Sequence, residues 1–120
     1  MRWHCGACTK RRNTQIGILL RMPIKITSLH NERVQHALRL RERRQRDRDG
    51  LFLIEGYREL RRALEGGWRP RMLFYCRDVF LGANEDAVIE QCRMAGADLL
   101  DCSVAVFQKL SYRDRPDGLL

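Results

Sequence analysis

The residues best suited to chemistry lie in two stretches, a basic run at residues 33–48 and a corner at residues 52–57. The basic run holds seven arginines, against three acidic residues between positions 32 and 48. Guanidinium groups suit bidentate phosphate contacts and stacking on unpaired bases, which favours a phosphate-contacting surface directed at RNA. The alternative is a solvated helix crossed by i,i+4 pairs such as Glu42 with Arg46.

The corner combines an apolar run with the single carboxylate placed beside it. Phe52–Ile54 follow the turn signal of Asp49 and Gly50, which predicts a strand covered on both faces. Glu55 and Gly56 would then lie at the carboxyl end of that strand, where Gly56 permits a tight turn. One carboxylate is a poor basis for acid-base catalysis. We interpret Glu55 as structural, bonding backbone N–H groups near a helix start or orienting an arginine.

No catalytic residue and no metal site are predicted. The sequence has no glycine-rich phosphate loop, no GxSxG elbow and no HExxH motif. Cys5 and Cys8 with His4 could form half of a zinc site, but no second pair at ribbon or finger spacing follows. The three histidines precede the first predicted buried strand, at positions that favour a surface.

Residues 1–22 are interpreted as a disordered or artefactual extension. They carry five basic residues and no acidic one and show no clear period. An organelle transit peptide is one alternative. Translation starting at Met22 is the interpretation that we favour.

Composition points to one small domain with a polyanionic partner. The chain has 120 residues and a net charge of +8. Residues 23–62 hold eleven basic and six acidic residues, whereas residues 63–120 hold seven basic and nine acidic ones, so the basic surface belongs to the first half. Five cysteines without a secretory signal predict reduced thiols and a cytoplasmic protein. No apolar run is long enough to span a membrane.

The spacing of apolar residues predicts an α/β domain with a largely parallel sheet. One long helix is expected over residues 32–48 with Asn31 as its N-cap, and another from Tyr57 to the stop at Gly66. Further elements are expected as an extended segment at 24–28, strands at 72–76 and 97–100, a helix over 85–95 capped by Asn84, and a short helix through Leu110 capped by Ser103 or Asp101. Cys92 is expected in the core. The tail, residues 111–120, is interpreted as the start of a linker that ends on two leucines with nothing to pack them.

Four segments together resemble a known family. They are ITSLHNERV at 26–34, DGLFLIEG at 49–56, VFQKLS at 106–111 and PDG at 116–118. With the arginine-rich helix between the first two, they resemble the N-terminal substrate-binding domain of SpoU/TrmH-type RNA 2′-O-ribose methyltransferases. The resemblance covers residues 24–120. The sequence departs from the common pattern at Glu32, where a proline often follows the asparagine.

The resemblance implies a small three-layer α/β sandwich similar to the ribosomal proteins that bind kinked RNA. It implies an RNA substrate-binding domain at residues 23–110 that docks ribosomal RNA or tRNA. In the full enzymes a knotted domain follows, which binds S-adenosylmethionine, forms the homodimer and carries the catalytic residues. That domain is expected to be absent from these 120 residues, so the chain alone is predicted to be inactive and without a cofactor of its own.

The residues predicted to contact RNA are Asn31, Arg33, Arg44, Arg46, Arg58 and Arg62. The rival hypothesis is a freestanding ribosomal-type RNA-binding protein with no enzymatic activity. A third is a remnant that binds nothing and whose charges only keep it soluble.

Overall fold

Three short parallel strands form the centre of the fold. The structure, a computed structural model, describes residues 22–120. The strands are β1 (Ile24–Ile26), β2 (Met72–Tyr75) and β3 (Asp98–Cys102), in the order β1-β3-β2. Leu100 of β3 lies opposite Ile24 on one side and Phe74 on the other. The predicted α/β class with a largely parallel sheet is confirmed.

Helices cover both faces of this sheet. Their bounds are α1 (Glu32–Arg39), α2 (Arg43–Asp49), α3 (Tyr57–Glu65), α4 (Glu85–Met94) and α5 (Val104–Leu110), with a 3-10 turn at Arg77–Val79. α1 and α5 pack with Phe74 and Cys76 on one face, while α3 and α4 pack with Leu73 and Tyr75 on the other. This division follows from the strand period of two, which sends successive side chains to opposite faces. The result is the expected three-layer sandwich.

Residues 52–54 do not form the predicted strand. They have no regular secondary structure and pair with no strand, and Phe52 is 45% exposed. The free edge of β2 is already occupied by the tail. Leu120 exchanges two backbone hydrogen bonds with Phe74, at 2.7 and 2.9 Å, so the segment at 52–54 has no edge of β2 left to join.

The two leucines at 119 and 120 are buried, which contradicts the expectation that nothing packs them. Leu119 is fully buried in the α3/α4 layer, and Leu120 lies in the α1/α5 layer. Gly118 extends this antiparallel pairing, since its carbonyl accepts from the Cys76 N–H at 3.0 Å. Residues 118–120 therefore pair with the edge of β2 through an isolated antiparallel bridge, and the predicted role of the tail as the start of a linker stays a prediction.

The predicted helix over 32–48 is divided into α1 and α2 by a turn at residues 40–42. Asn31 caps α1 as predicted, with its Oδ1 accepting from the Arg33 N–H at 2.8 Å. A continuous helix would present Arg41, Arg44 and Gln45 on the apolar side, so no apolar stripe could hold its second half against the core. The turn instead buries Leu40, which is 3% exposed.

Two further helix N-caps were predicted, of which one is confirmed and one is wrong. Ser103 caps α5, with its Oγ accepting from the Val106 N–H. Asn84 precedes α4 but its side chain makes no capping bond. Instead, the carboxyl of Glu85 folds back and accepts from the Gly82 N–H at 2.9 Å. Cys92 is fully buried, as predicted.

None of the helices within residues 22–120 has the length and apolar character needed to cross a membrane. The cysteine pair at Cys5 and Cys8, which could form only half of a zinc site, lies outside the described residues.

Candidate nucleic-acid interface

The corner is held in place by the tail through the buried side chain of Glu55. Glu55 is 2% exposed, and its carboxyl group accepts hydrogen bonds from the Ser111 hydroxyl and, at 3.2 Å, from the Tyr112 N–H. These donors follow the end of α5, whereas we had expected N–H groups near a helix start. The Glu55 carbonyl also accepts from Arg113 at 2.7 Å, so it is the backbone of Glu55 that orients an arginine.

Gly56 makes the close approach between corner and tail possible. Its φ of +112° lies in a region that favours glycine, and a Cβ there would lie 2.6 Å from Nη1 of Arg113. Its N–H donates to the Leu119 carbonyl at 3.0 Å. This set of bonds between residues 55–57 and residues 111–119 is called the clasp below.

The clasp also supplies the cap of α3. The N-cap position is Gly56, which has no side chain, and the Tyr57 N–H donates instead to Oδ2 of Asp117 at 2.8 Å. A carboxylate at a helix N-terminus is favourable for both hydrogen bonding and the helix dipole. Asp117 thus fixes the first turn of the helix that carries Arg58 and Arg62.

Arg58 and Arg62 lie one turn apart on α3 and are exposed. Among the described residues, neither forms an ion pair, whereas their neighbour Arg61 lies 3.3 Å from Glu65. Glu59 lies between them in sequence but pairs with Arg113 at 3.1 Å. The pKa of Glu59 is below its usual value, first because of a hydrogen bond from its own backbone N–H, then because of Arg113, and to a smaller extent because of the charge of Arg58. The acid that lies between these two arginines in sequence therefore forms its ion pair with Arg113.

The other four predicted residues differ in whether their side chains already bond to other groups of the fold. Arg46 donates to the carbonyls of Leu40 and Arg41, at 3.0 and 2.7 Å, where α1 ends. Arg33 lies 3.8 Å from a carboxylate oxygen of Asp98, and the side chain of Asn31 serves as the α1 cap. Arg44 is exposed.

The six predicted residues do not form one cluster. Asn31 and Arg33 lie at the start of α1, which packs against one face of the sheet, and Arg58 and Arg62 lie on α3, which packs against the other. Arg41, which we had not singled out, donates from Nη2 to the carbonyls of Lys109 and Leu110 at the end of α5. We also missed Ser111, Arg113 and Asp117 as partners of the corner, because their bonds span 56 to 60 residues of sequence.

The buried thiols and His36 have structural roles within the described residues. Burial raises the pKa of Cys92 and of Cys102 to about 12, which keeps both as unreactive thiols. Nε2 of His36 lies 2.7 Å from Oδ2 of Asp49 and joins α1 to α2. Across residues 22–120, no three histidine, cysteine or acidic side chains are grouped so as to hold a metal.

The family model described as an MRM3-like substrate binding domain matches residues 31–120 of the chain. No curated protein matches. A solved structure described as an RNA 2′-O ribose methyltransferase is similar, with 41% sequence identity and a TM-score of 0.68 over 80% of this chain and 35% of that one.

An rRNA methyltransferase from Sinorhizobium meliloti shows 26% identity and a TM-score of 0.66, covering 79% of this chain and 34% of that one. An AdoMet-bound structure of an rRNA methyltransferase from the same organism shows 25% identity and a TM-score of 0.67. The chain spans about a third of the length of these proteins.

Proposed function

We propose an RNA-docking function for this chain, which belongs to the family of MRM3-like substrate-binding domains. The predicted resemblance to a substrate-binding domain of RNA methyltransferases is confirmed by the family match and by solved structures of an RNA 2′-O ribose methyltransferase and an rRNA methyltransferase with a similar fold. We propose that the domain holds ribosomal RNA or tRNA for a SpoU/TrmH-type enzyme. The observation that carries the proposal is the pair of exposed arginines on α3.

The surroundings of Arg58 and Arg62 support phosphate contact. Both guanidinium groups are exposed, and no ion pair with another described residue has to be broken before they bind. Their spacing of four residues places them about 6 Å apart along the helix axis, on one side of it. The clasp fixes the start of α3, so the two groups are presented by an anchored helix and not by a mobile loop.

We assign methyl transfer to a part of the parent enzymes that these residues do not span. S-adenosylmethionine would supply the methyl group there. The chain aligns with 35% and 34% of two solved methyltransferases, so about two thirds of each of those proteins lies outside the matched part. Methyl incorporation into ribosomal RNA or tRNA by the purified chain, above a control without protein, would refute this assignment.

Two finer proposals complete this function. We propose that the parent enzyme is a homodimer through the part that binds S-adenosylmethionine. We also propose that the protein is cytoplasmic, because its five cysteines are odd in number and three of them are buried free thiols.

A salt titration of RNA binding tests the docking function. The full chain is titrated against a structured ribosomal RNA fragment and against duplex DNA of equal charge, at several salt concentrations. We expect tighter binding to the RNA, with an affinity that falls as salt rises by a log-log slope of roughly 0.7–0.9 per phosphate contact. Equal affinity for the two nucleic acids, or no binding to either, would contradict RNA docking by this chain.

A further inference from the structure

A depression beside Arg62 contains three aromatic side chains. It has a volume of about 610 Å³ and includes Phe52, Trp68, Tyr112, Arg62 and Arg113 in its lining. Tyr112 is 58% exposed and Phe52 is 45% exposed. The rings of Phe52 and Trp68 meet edge to face, with centroids 5.4 Å apart. This group is called the aromatic depression below.

The positions of these aromatic residues are fixed by the surrounding structure. Phe52 stays at the surface because the tail occupies the edge of β2 that the segment at 52–54 would otherwise join. Tyr112 is placed by its backbone, since its N–H donates to the buried carboxyl of Glu55. The clasp therefore brings an aromatic residue of the tail to the same depression as one of the corner.

The charges in the aromatic depression leave one arginine unpaired. Two acids contribute to its lining, Glu55 and Glu59. Glu55 is buried and bonded to the tail, and Glu59 pairs with Arg113. The two arginines and two acids of the lining balance in formal charge. Among the described residues no acid forms an ion pair with Arg62, so its exposed guanidinium group is available to an approaching phosphate.

An exposed aromatic ring beside a guanidinium group that has no acid partner can bind a nucleotide whose base is not paired. Aromatic side chains stack on bases that are not held in a duplex, and the neighbouring arginine contacts the phosphate or stacks in turn. A double helix keeps its bases stacked on each other and offers no free base face to such a ring.

We propose that the aromatic depression binds an unpaired base of the RNA, with Tyr112 and Phe52 as the stacking surface and Arg62 at the adjoining phosphate. The proposal rests on the proposed RNA-docking function and adds to it the form of RNA that is recognised. A single-stranded loop or bulge is held at this place, and the exposed arginines contact its backbone.

The test compares RNA with and without bases. The full chain is titrated by fluorescence anisotropy with a short adenosine-rich single-stranded RNA and with the same ribose-phosphate chain lacking its bases. Three variants are compared with the wild type. Tyr112→Ala removes the stacking ring, Tyr112→Phe keeps it, and Met94→Ala removes an exposed side chain of the same 58% exposure outside the aromatic depression.

Tyr112→Ala should weaken binding of the base-bearing RNA by about 5- to 100-fold, the loss typical for one stacked base. Tyr112→Phe and Met94→Ala should bind it as the wild type does. All four proteins should bind the abasic chain equally, because phosphate contacts are unchanged. Circular dichroism should show the same fold throughout, since the bond from the Tyr112 N–H to Glu55 does not involve the replaced side chain.

Two results would overturn the inference in distinguishable ways. Wild-type binding that is equally strong with and without bases, and unchanged in Tyr112→Ala, would refute base stacking and leave RNA docking intact. If self-association measured by sedimentation were also lost in that variant, the aromatic depression would instead contact a second copy of the chain. No binding of either oligonucleotide or of structured RNA by the wild type would refute the docking function itself.

Discussion

The basic run at 33–48 and the helix α3 both carry several arginines, but the structure uses them differently. In the basic run, Arg41 and Arg46 bind carbonyl groups at helix ends, and Arg43 pairs with Asp47 at 3.7 Å. On α3, Arg58 and Arg62 are exposed without an acid partner among the described residues. In the basic run four arginines thus bond within the fold and Arg39, Arg44 and Arg48 are exposed. On α3 the two exposed arginines lie one turn apart on a helix whose start the clasp anchors.

This difference shows why the count of basic residues is a poor guide to a binding surface. A guanidinium group has five N–H donors and satisfies orphan carbonyls at a helix end as readily as phosphate oxygens. Which of these it binds depends on the elements that come near it. The four predictions below test the clasp that anchors α3, the contrast between arginines that stabilise the fold and arginines that we propose bind RNA, and the contact that joins α1 to α2.

The largest effect is expected from removing the buried acid that anchors α3. Glu55→Ala would leave the Ser111 hydroxyl and the Tyr112 N–H without their acceptor and open a cavity, which should lower the free energy of unfolding by about 2–4 kcal/mol. Urea denaturation measures this. Glu90→Ala, at an exposed acid on α4, is the control and should change stability by less than about 0.5 kcal/mol. A similar value for both variants would mean that the clasp does not anchor the corner.

The second effect concerns the arginines that are available to RNA. Arg58→Ala together with Arg62→Ala should weaken RNA binding by about 30-fold at 0.1 M salt and lower the salt slope by roughly 1.4–1.8, as expected for two phosphate contacts. The control is Arg43→Ala together with Arg61→Ala, which removes the same charge from two ion-paired positions and should lose less affinity. If both double variants lose affinity equally, net charge and not the α3 pair determines binding.

The third effect concerns an arginine that stabilises the fold. Arg41→Ala should lower the free energy of unfolding by about 1 kcal/mol, because the carbonyls at the end of α5 lose their donor. The RNA salt slope should stay at the wild-type value. Arg39→Ala, at an exposed arginine of α1, should leave stability unchanged by comparison. A lower salt slope in Arg41→Ala would show that this arginine also contacts phosphate.

The smallest effect is a pH dependence within the basic run. The pKa of Asp49 lies below its usual value of 3.8, first because Gln45 donates to its carboxylate and then because His36 does. A carboxyl whose pKa is lowered by folding stabilises the protein above its unfolded-state pKa, and this stabilisation is lost as the pH falls through the folded-state pKa.

The urea midpoint of the wild type should therefore fall between pH 5 and pH 3 by more than that of Asp49→Asn. Asp47→Asn, which removes a neighbouring carboxyl without touching His36 or Gln45, is the control and should keep the wild-type decrease. An equal decrease in the wild type and Asp49→Asn would contradict a role for this carboxylate in joining α1 to α2.

The parts of the fold that depend on local sequence could be predicted. β2, α3 and α4 follow from apolar spacing, and the caps at Asn31 and Ser103 from side chains that bond N–H groups two or three residues away. The turn at 40–42 is also indicated by the local sequence, because the apolar stripe of α1 stops at Leu38 and Leu40. We took the charge pattern as continuous and so missed it.

The clasp could not be predicted in this way. Its bonds join residues 55–57 to residues 111–119, and neither segment alone shows a helix or strand period that indicates a partner. The same long-range pairing explains why Phe52–Ile54, which have the composition of a buried strand, lie beyond the sheet with Phe52 exposed. Apolar composition indicates that a segment can pair with the edge of a sheet. It does not indicate whether another segment already occupies that edge.

The distance along the chain between the two halves of the clasp also affects how the domain forms during translation. Tyr57 and its capping partner Asp117 are 60 residues apart. At roughly 5–20 residues per second, the ribosome needs about 3–12 s to add Asp117 after it has added Tyr57. Throughout that interval the apolar side of α3 lacks Leu119, which packs against it in the finished domain. A nascent chain paused before residue 111 should therefore be the form that proteases cut and chaperones bind, with α3 as the exposed site.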